Sequence, residues 1–214
     1  MEAEKAAFMG KVTAAATHEM KNVLAIIKES VGLMEDIIAM TKDDSLPHRD
    51  KFVRSLARIM EQVARGVDLS TRLNAFAHSS DEARARVDLN RAVEQSAFAC
   101  HRAARLHKIT LKPVPCSEPV EIDVDPMGLQ MVLFQCVDLL MNVLGSGSTV
   151  TLEVSKEASP RITIAGTEGT SPSEGVKSPA RDGRWETLQT AAQGLNLVLE
   201  EAEGPGPGLR VVLS

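Results

Sequence analysis

The sequence predicts an α+β protein: a long antiparallel helical hairpin that pairs into a dimeric four-helix bundle, followed by an α/β sandwich. Three observations predict it. Apolar residues recur at spacings of three and four along two long segments that contain no proline. After about residue 80 the pattern changes to short alternating stretches separated by Gly, Pro and Ser turns. The aromatic share is only 3%, with no Tyr and one Trp, so the core must be aliphatic, which suits helix-on-helix packing.

Residues 3–42 read as one helix, with Val23, Leu24, Ile27, Val31, Met34, Ile37 and Ile38 as its stripe. The polar DDSLPHRD at 43–50 breaks the pattern. A second helix over 50–79 carries Phe52, Val53, Leu56, Ile59, Met60, Val63, Val67, Leu69, Leu73 and Phe76. One hairpin leaves an apolar face open, and a second copy covers it, so a homodimer is expected on physical grounds. Residues 79–88 read as a linker, which sets the expected domains at 1–80 and 81–214. Then follow a helix at 89–108, strands ITLKPV and VEIDVD, and an apolar helix at 125–144 opened by Asp125 and Pro126, good N-cap chemistry. TVTLEVS and RITIAG alternate as strands, 166–184 reads as a loop, and a helix is expected over 185–202. GPGPG then leads into a last strand, LRVVLS. This order describes one mixed sheet with helices on one face.

With 214 residues, 43% hydrophobic and 25% charged, the chain has the composition of a globular protein of one large or two small domains. A net charge of -5 argues against a general nucleic-acid binder. Cys100, Cys116 and Cys136 form no C-x-x-C pair, so neither a zinc cluster nor a redox dithiol is indicated. An odd cysteine count fits a reducing cytosol, and the reading is a cytoplasmic protein. The start lacks a signal-peptide core, and no apolar run approaches the about 18 residues that a membrane span needs.

His18, Glu19 and Asn22 lie together in THEMKNVLAIIKES. Asn22 is four residues on from His18, on the same helix face. A neutral imidazole has a free lone pair near neutral pH and can accept a phosphoryl group. A neighbouring carboxylate can orient one ring nitrogen or take its proton. On the residues alone, a solvated helix histidine with an ordinary Glu neighbour is the plainer reading. His78 reads as structural or exposed. His101 and His107 are six apart and do not share a helix face, which speaks against a shared metal. Trp185 reads as the anchor of a helix start, and Met127, Met131 and Met141 as core filler.

HEMKNVLAII resembles the H-box of histidine kinases, in which His is followed by an acidic residue, two variable residues and Asn. That family normally has Pro next, where this chain has Val23. The resemblance extends through the hairpin and the second half, over nearly the whole chain. It implies that His18 is the phosphoacceptor, Glu19 its acid/base neighbour and Asn22 the residue that assists phosphatase or transfer chemistry. The second half is similar to the family's ATP-binding domain, with departures. Counted without gaps from Asp125 and Pro126, the two N-box Asn positions are Gln135 and Leu139. Leu offers no oxygen to Mg²⁺. Ala165 stands where an Asp would meet adenine, and Thr167 replaces the first Gly of that motif.

The resemblance therefore implies a histidine phosphotransferase. His18 exchanges phosphate with a response-regulator receiver domain, and the degenerate ATP site needs no cofactor. One alternative is a divergent but active sensor kinase that binds ATP and Mg²⁺ through Asp138 and Asn142. Another is a non-catalytic dimerisation scaffold in which His18 is inert. Lys21 and Lys28, further along the same helix than His18, are candidates for steering an acidic receiver.

Overall fold

The computed structural model describes residues 2–40, 49–78, 82–156, 159–169, 178–202 and 206–213. The chain divides into two compact units, Gly10–Ala77 and Met1–Met9 together with His78–Ser214.

The first unit is built from α1 (Glu2–Met40) from Gly10 onward and from α2 (Arg49–Ala77). The two run antiparallel. Glu19 meets Arg65, and a Cβ at Gly66 would lie 3.4 Å from Val23 Cγ1, whereas Glu29, Ser30 and Asp36 share a cleft with Lys51, Arg54 and Arg58. The expected turn falls mostly outside the described residues. On α2 the buried positions Ser55, Gln62, Leu69 and Phe76 recur every seven residues. A second seam, Val53, Leu56, Met60, Val63 and Val67, alternates steps of three and four and is exposed. Leu24, Val31 and Ile38 on α1 are likewise seven apart and exposed.

The second unit holds β1 (Ala85–Asp88), α3 (Leu89–His107), β2 (Thr110–Val114), β3 (Glu121–Val124), α4 (Pro126–Val143), β4 (Thr149–Ser155), β5 (Arg161–Thr167), α5 (Trp185–Gln193), β6 (Leu197–Glu201) and β7 (Gly208–Leu213). A five-stranded sheet runs in the order β2-β4-β5-β7-β6, with β2 parallel to β4 and the other pairs antiparallel. Its buried side carries Val150, Leu152, Val154, Ile162, Ile164, Leu199, Leu209 and Val211, alternating with polar outward residues. The buried residues of α3, α4 and α5 complete this core. Asp88 caps α3 by accepting from Asn90 N, and Asp125 caps α4 by accepting from Gly128 N. Lys108, at φ 56, ends α3 in the left-handed conformation. Within this unit Lys5 Nζ lies 2.8 Å from Asp125, and Phe8 meets Phe134 edge-on at 5.1 Å.

Three expectations need correction. Residues 85–88 are not linker. They form β1, which pairs antiparallel with β3 in a two-stranded sheet separate from the five-stranded one. The last helix stops at Gln193 rather than near 202: Gly194 caps it and Asn196 takes a positive φ of 59. Beyond that break Leu197 and Leu199 point into the core while Val198 is exposed, the alternation of a strand. Finally, α4 does have the length and mean hydropathy (1.3) of a spanning segment. The expectation counted uninterrupted apolar residues, and Gln130, Gln135, Asp138 and Asn142 interrupt them without lowering the average enough. Most of α4, 61%, is buried inside the protein, as in the core helix of a folded domain.

Candidate phosphoacceptor site

The buried side of α1 passes through Val12, Ala16, Glu19, Val23, Ser30 and Ile37. Glu19 therefore falls on the inward stripe, and its neighbour His18, about 100° further round the helix, is exposed. Asn22 is half-buried, and Lys21 and Lys28 are exposed. Glu19 is only 5% exposed. Its Oε2 accepts from Arg65 Nη2 at 3.0 Å. A carboxylate on an apolar stripe is costly without a partner, and the guanidinium from α2 supplies one.

The structure thus keeps His18 and Asn22 on an accessible side and turns Glu19 toward α2. Arg65 is the residue that sequence reasoning missed. It lies 46 positions from Glu19, on a helix face that reads as solvated. The available signal was Glu19 itself, in register with Ala16 and Val23. Further along the hairpin, Glu29 and Asp36 of α1 and Lys51, Arg54 and Arg58 of α2 line a cleft of about 590 Å³.

In the second unit, Leu139 is a core residue, 1% exposed, packed among Leu140, Val137 and the sheet. Gln135 and Asn142 are on the exposed side of α4, and Asp138 is half-buried. Arg184 Nη1 bonds Asp138 Oδ2 at 2.7 Å, while its Nε and Nη2 grip Asp182 at 2.9 and 3.0 Å. The side-chain hydrogen bond from Arg184 holds the Asp182 carboxyl down at about 2. The same bond raises the Arg184 guanidinium above its ordinary value. Asn142 Nδ2 donates to the Asp138 carbonyl at 2.7 Å. The two residues considered as substitute ligands for a nucleotide's metal are therefore tied to each other, and one of them to a cation of the protein itself.

Ala165 lies within β5 on the face opposite Ile162 and Ile164, not in a loop after the strand. Its neighbour Gly166 faces inward, where an added Cβ would come 2.7 Å from Leu144 Cδ1. Leu144 thus occupies the space beside the strand end. Among the described residues no group of three or more His, Cys, Asp or Glu is placed to hold a metal ion. Cys100 and Cys136 are fully buried, and burial pushes the Cys136 thiol up to about 12 and raises that of Cys100 as well. Neither is a nucleophile at neutral pH. His78, His101 and His107 are exposed, and Trp185 opens α5 and packs against the core.

No family model matches the chain, and no curated protein matches it. Solved structures similar to it include chains of histidine kinases. The cytoplasmic segment of histidine kinase QseC is 15% identical, with a TM-score of 0.49 over 70% of this chain and 95% of that one. Acinetobacter baumannii histidine kinase AdeS is 14% identical, with a TM-score of 0.47 over 92% and 97%. Histidine kinase ThkA, in a complex with response regulator protein TrrA, is 15% identical, with a TM-score of 0.48 over 98% of this chain and 62% of that one.

Proposed function

We propose that this chain is a cytoplasmic two-component signalling protein of histidine-kinase type that acts as a histidine phosphotransferase. His18 takes a phosphoryl group from, or returns it to, the aspartate of a response-regulator receiver domain. The observation that carries this reading is the contrast between an open His18 and an α4 face closed by Arg184. The phosphoacceptor is accessible, while the groups that could serve ATP and Mg²⁺ are already engaged.

One ring nitrogen of His18 attacks phosphorus as the acyl-phosphate P–O bond breaks. The receiver's aspartate leaves as a carboxylate, and the proton on the other ring nitrogen is lost to Glu19 or water. Asn22 aligns the transferring group. Such transfer depends mainly on alignment and charge stabilisation, and the receiver brings its own metal and acidic pocket. Lys21, Lys28 and the charged cleft between α1 and α2 suit a partner that presents both charge signs. A second copy covers Val53, Leu56, Met60, Val63 and Val67, which makes the hairpin half of a dimeric four-helix bundle.

The test is incubation with a radiolabelled phospho-receiver. Label moves to the wild type and to His78→Gln but not to His18→Gln. Equal labelling of His18→Gln overturns the reading. Calorimetry with Mg-ATP should show no micromolar binding. A micromolar dissociation constant would restore the divergent-kinase alternative.

A further inference from the structure

We infer that the charged cleft between α1 and α2 is a binding site for a small zwitterion with a net negative charge, of the class of a dicarboxylic amino acid. The cleft lies within the hairpin unit and measures about 590 Å³. Glu29 and Asp36 of α1 line one wall, and Lys51, Arg54 and Arg58 of α2 line the other. All five are exposed, and none is ion-paired among the described residues. Opposite charges that share a cleft without meeting leave both signs to an occupant that bridges them.

The floor supplies a second, independent sign. Ser30 and Ser55 line the cleft and are only 3% and 6% exposed. Ser30 donates to the Ile26 carbonyl at 2.8 Å, the usual outlet for a serine inside a helix. The Ser55 hydroxyl makes no hydrogen bond among the described residues, although the residue is more than nine-tenths buried. A polar group so placed is left to the contents of the cleft. The charges set the shape and sign of those contents. Lys51 and Arg58 stand seven positions apart, as do Glu29 and Asp36. That is about 10 Å along a helix, which suits an extended molecule better than a compact anion. Three basic groups accompany two acidic ones, so two carboxylates and one ammonium complement them with the signs reversed. The cleft stays open in a dimer, because Lys51, Ser55 and Arg58 lie on the side of α2 opposite the exposed seam of Val53, Leu56 and Met60.

The test is a titration of the isotope-labelled full chain with L-glutamate, read from amide chemical shifts. Shifts should centre on residues 29–36 and 51–58 and saturate with a dissociation constant of about 1 mM, the strength of a few exposed charge pairs. Glutarate, which lacks the ammonium group, should bind about threefold or more weakly. Arg54→Gln combined with Arg58→Gln should weaken glutamate by about fivefold or more. Glu29→Gln combined with Asp36→Asn should weaken glutamate yet tighten glutarate, because it removes an attraction for the one and a repulsion for the other. Ser55→Ala should weaken both by about threefold. His18 takes no part in this site, so His18→Gln should bind as the wild type does, and failure here is distinct from failure of the phosphotransfer. No saturation by about 10 mM glutamate, shifts centred elsewhere, equal affinity for glutarate, or an unchanged affinity in the Arg54 and Arg58 variant overturns the inference.

Discussion

The hairpin and the sheet unit differ in how much of their apolar surface they bury. In the sheet unit, α4 buries Leu129, Leu133, Leu139 and Leu140, and its buried polar side chain Gln130 is fully used. That amide accepts from Ser96 Oγ at 2.9 Å and donates to Gln95 Oε1 and the Ala92 carbonyl. In the hairpin, the side between α1 and α2 mixes Val12, Val23, Leu69 and Phe76 with Glu19, Ser30, Ser55 and Gln62, while Leu56, Met60 and Val67 face outward. Gln62 Oε1 is buried with no hydrogen-bond partner among the described residues. The sheet unit has a closed core of its own. The hairpin carries its most apolar seam on the outside, which is the arrangement of half a core. It also holds the accessible His18, so the less self-sufficient region is the one proposed to do the chemistry.

The comparison is most easily broken at the outer seam. Met60→Glu should convert the protein from dimer to monomer. Burying an unpaired carboxylate costs about 3 kcal/mol for each copy, together roughly ten-thousandfold in dissociation constant. Sedimentation equilibrium measures this, and a wild type already monomeric at micromolar concentration would undo the contrast.

In the sheet unit, Leu140→Ala should lower stability by about 2–5 kcal/mol. Denaturant unfolding should show that loss at every protein concentration, whereas the hairpin's transition should move with concentration.

The two buried glutamines sharpen the contrast further. Gln130→Leu should destabilise by about 1–3 kcal/mol, because it strands its hydrogen-bond partners. Gln62→Leu should be neutral or stabilising by up to about 1 kcal/mol, because it removes an unsatisfied acceptor. The same substitution with opposite signs in two thermal melts is the expected outcome.

The smallest effect belongs to Asp182. Its folded value of about 2 lies below the ordinary 3.8, so its contribution is present above about 3.8 and is lost as pH falls through about 2. Arg184 is half exposed, and screening reduces the contribution to under about 1 kcal/mol. Asp182→Asn should therefore cost little at neutral pH, and the difference from wild type should vanish near pH 2.

The long helices were legible because their apolar periodicity runs for many turns. The strands β2 to β5 were legible from their alternation. β1 was not, because four residues with two charges resemble a linker until β3 is known to lie beside them. The end of α5 was not legible because LNLVLEEA has helix-forming composition, while Gly194 and Asn196 turn the chain before β6. In the candidate site, the exposure of His18 and the half-burial of Asn22 follow from the stripe. Arg65 and Arg184 were not legible, because each meets its acidic partner across 46 positions and neither breaks a local pattern. Ala165 shows the limit of matching a motif: the match names a residue, but only the pleat decides which face it occupies.

The placement of the thiols makes the protein its own clock. Cys100 and Cys136 are fully buried in α3 and α4, Cys116 is half-exposed between β2 and β3, and the hairpin has no cysteine. An alkylating reagent in native buffer should mark Cys116 promptly. It should reach the other two only through openings that expose the core of the sheet unit. Their slow labelling therefore times the breathing of one region and is blind to the other. Opening of the sheet unit is thus timed without interference from any event in the hairpin.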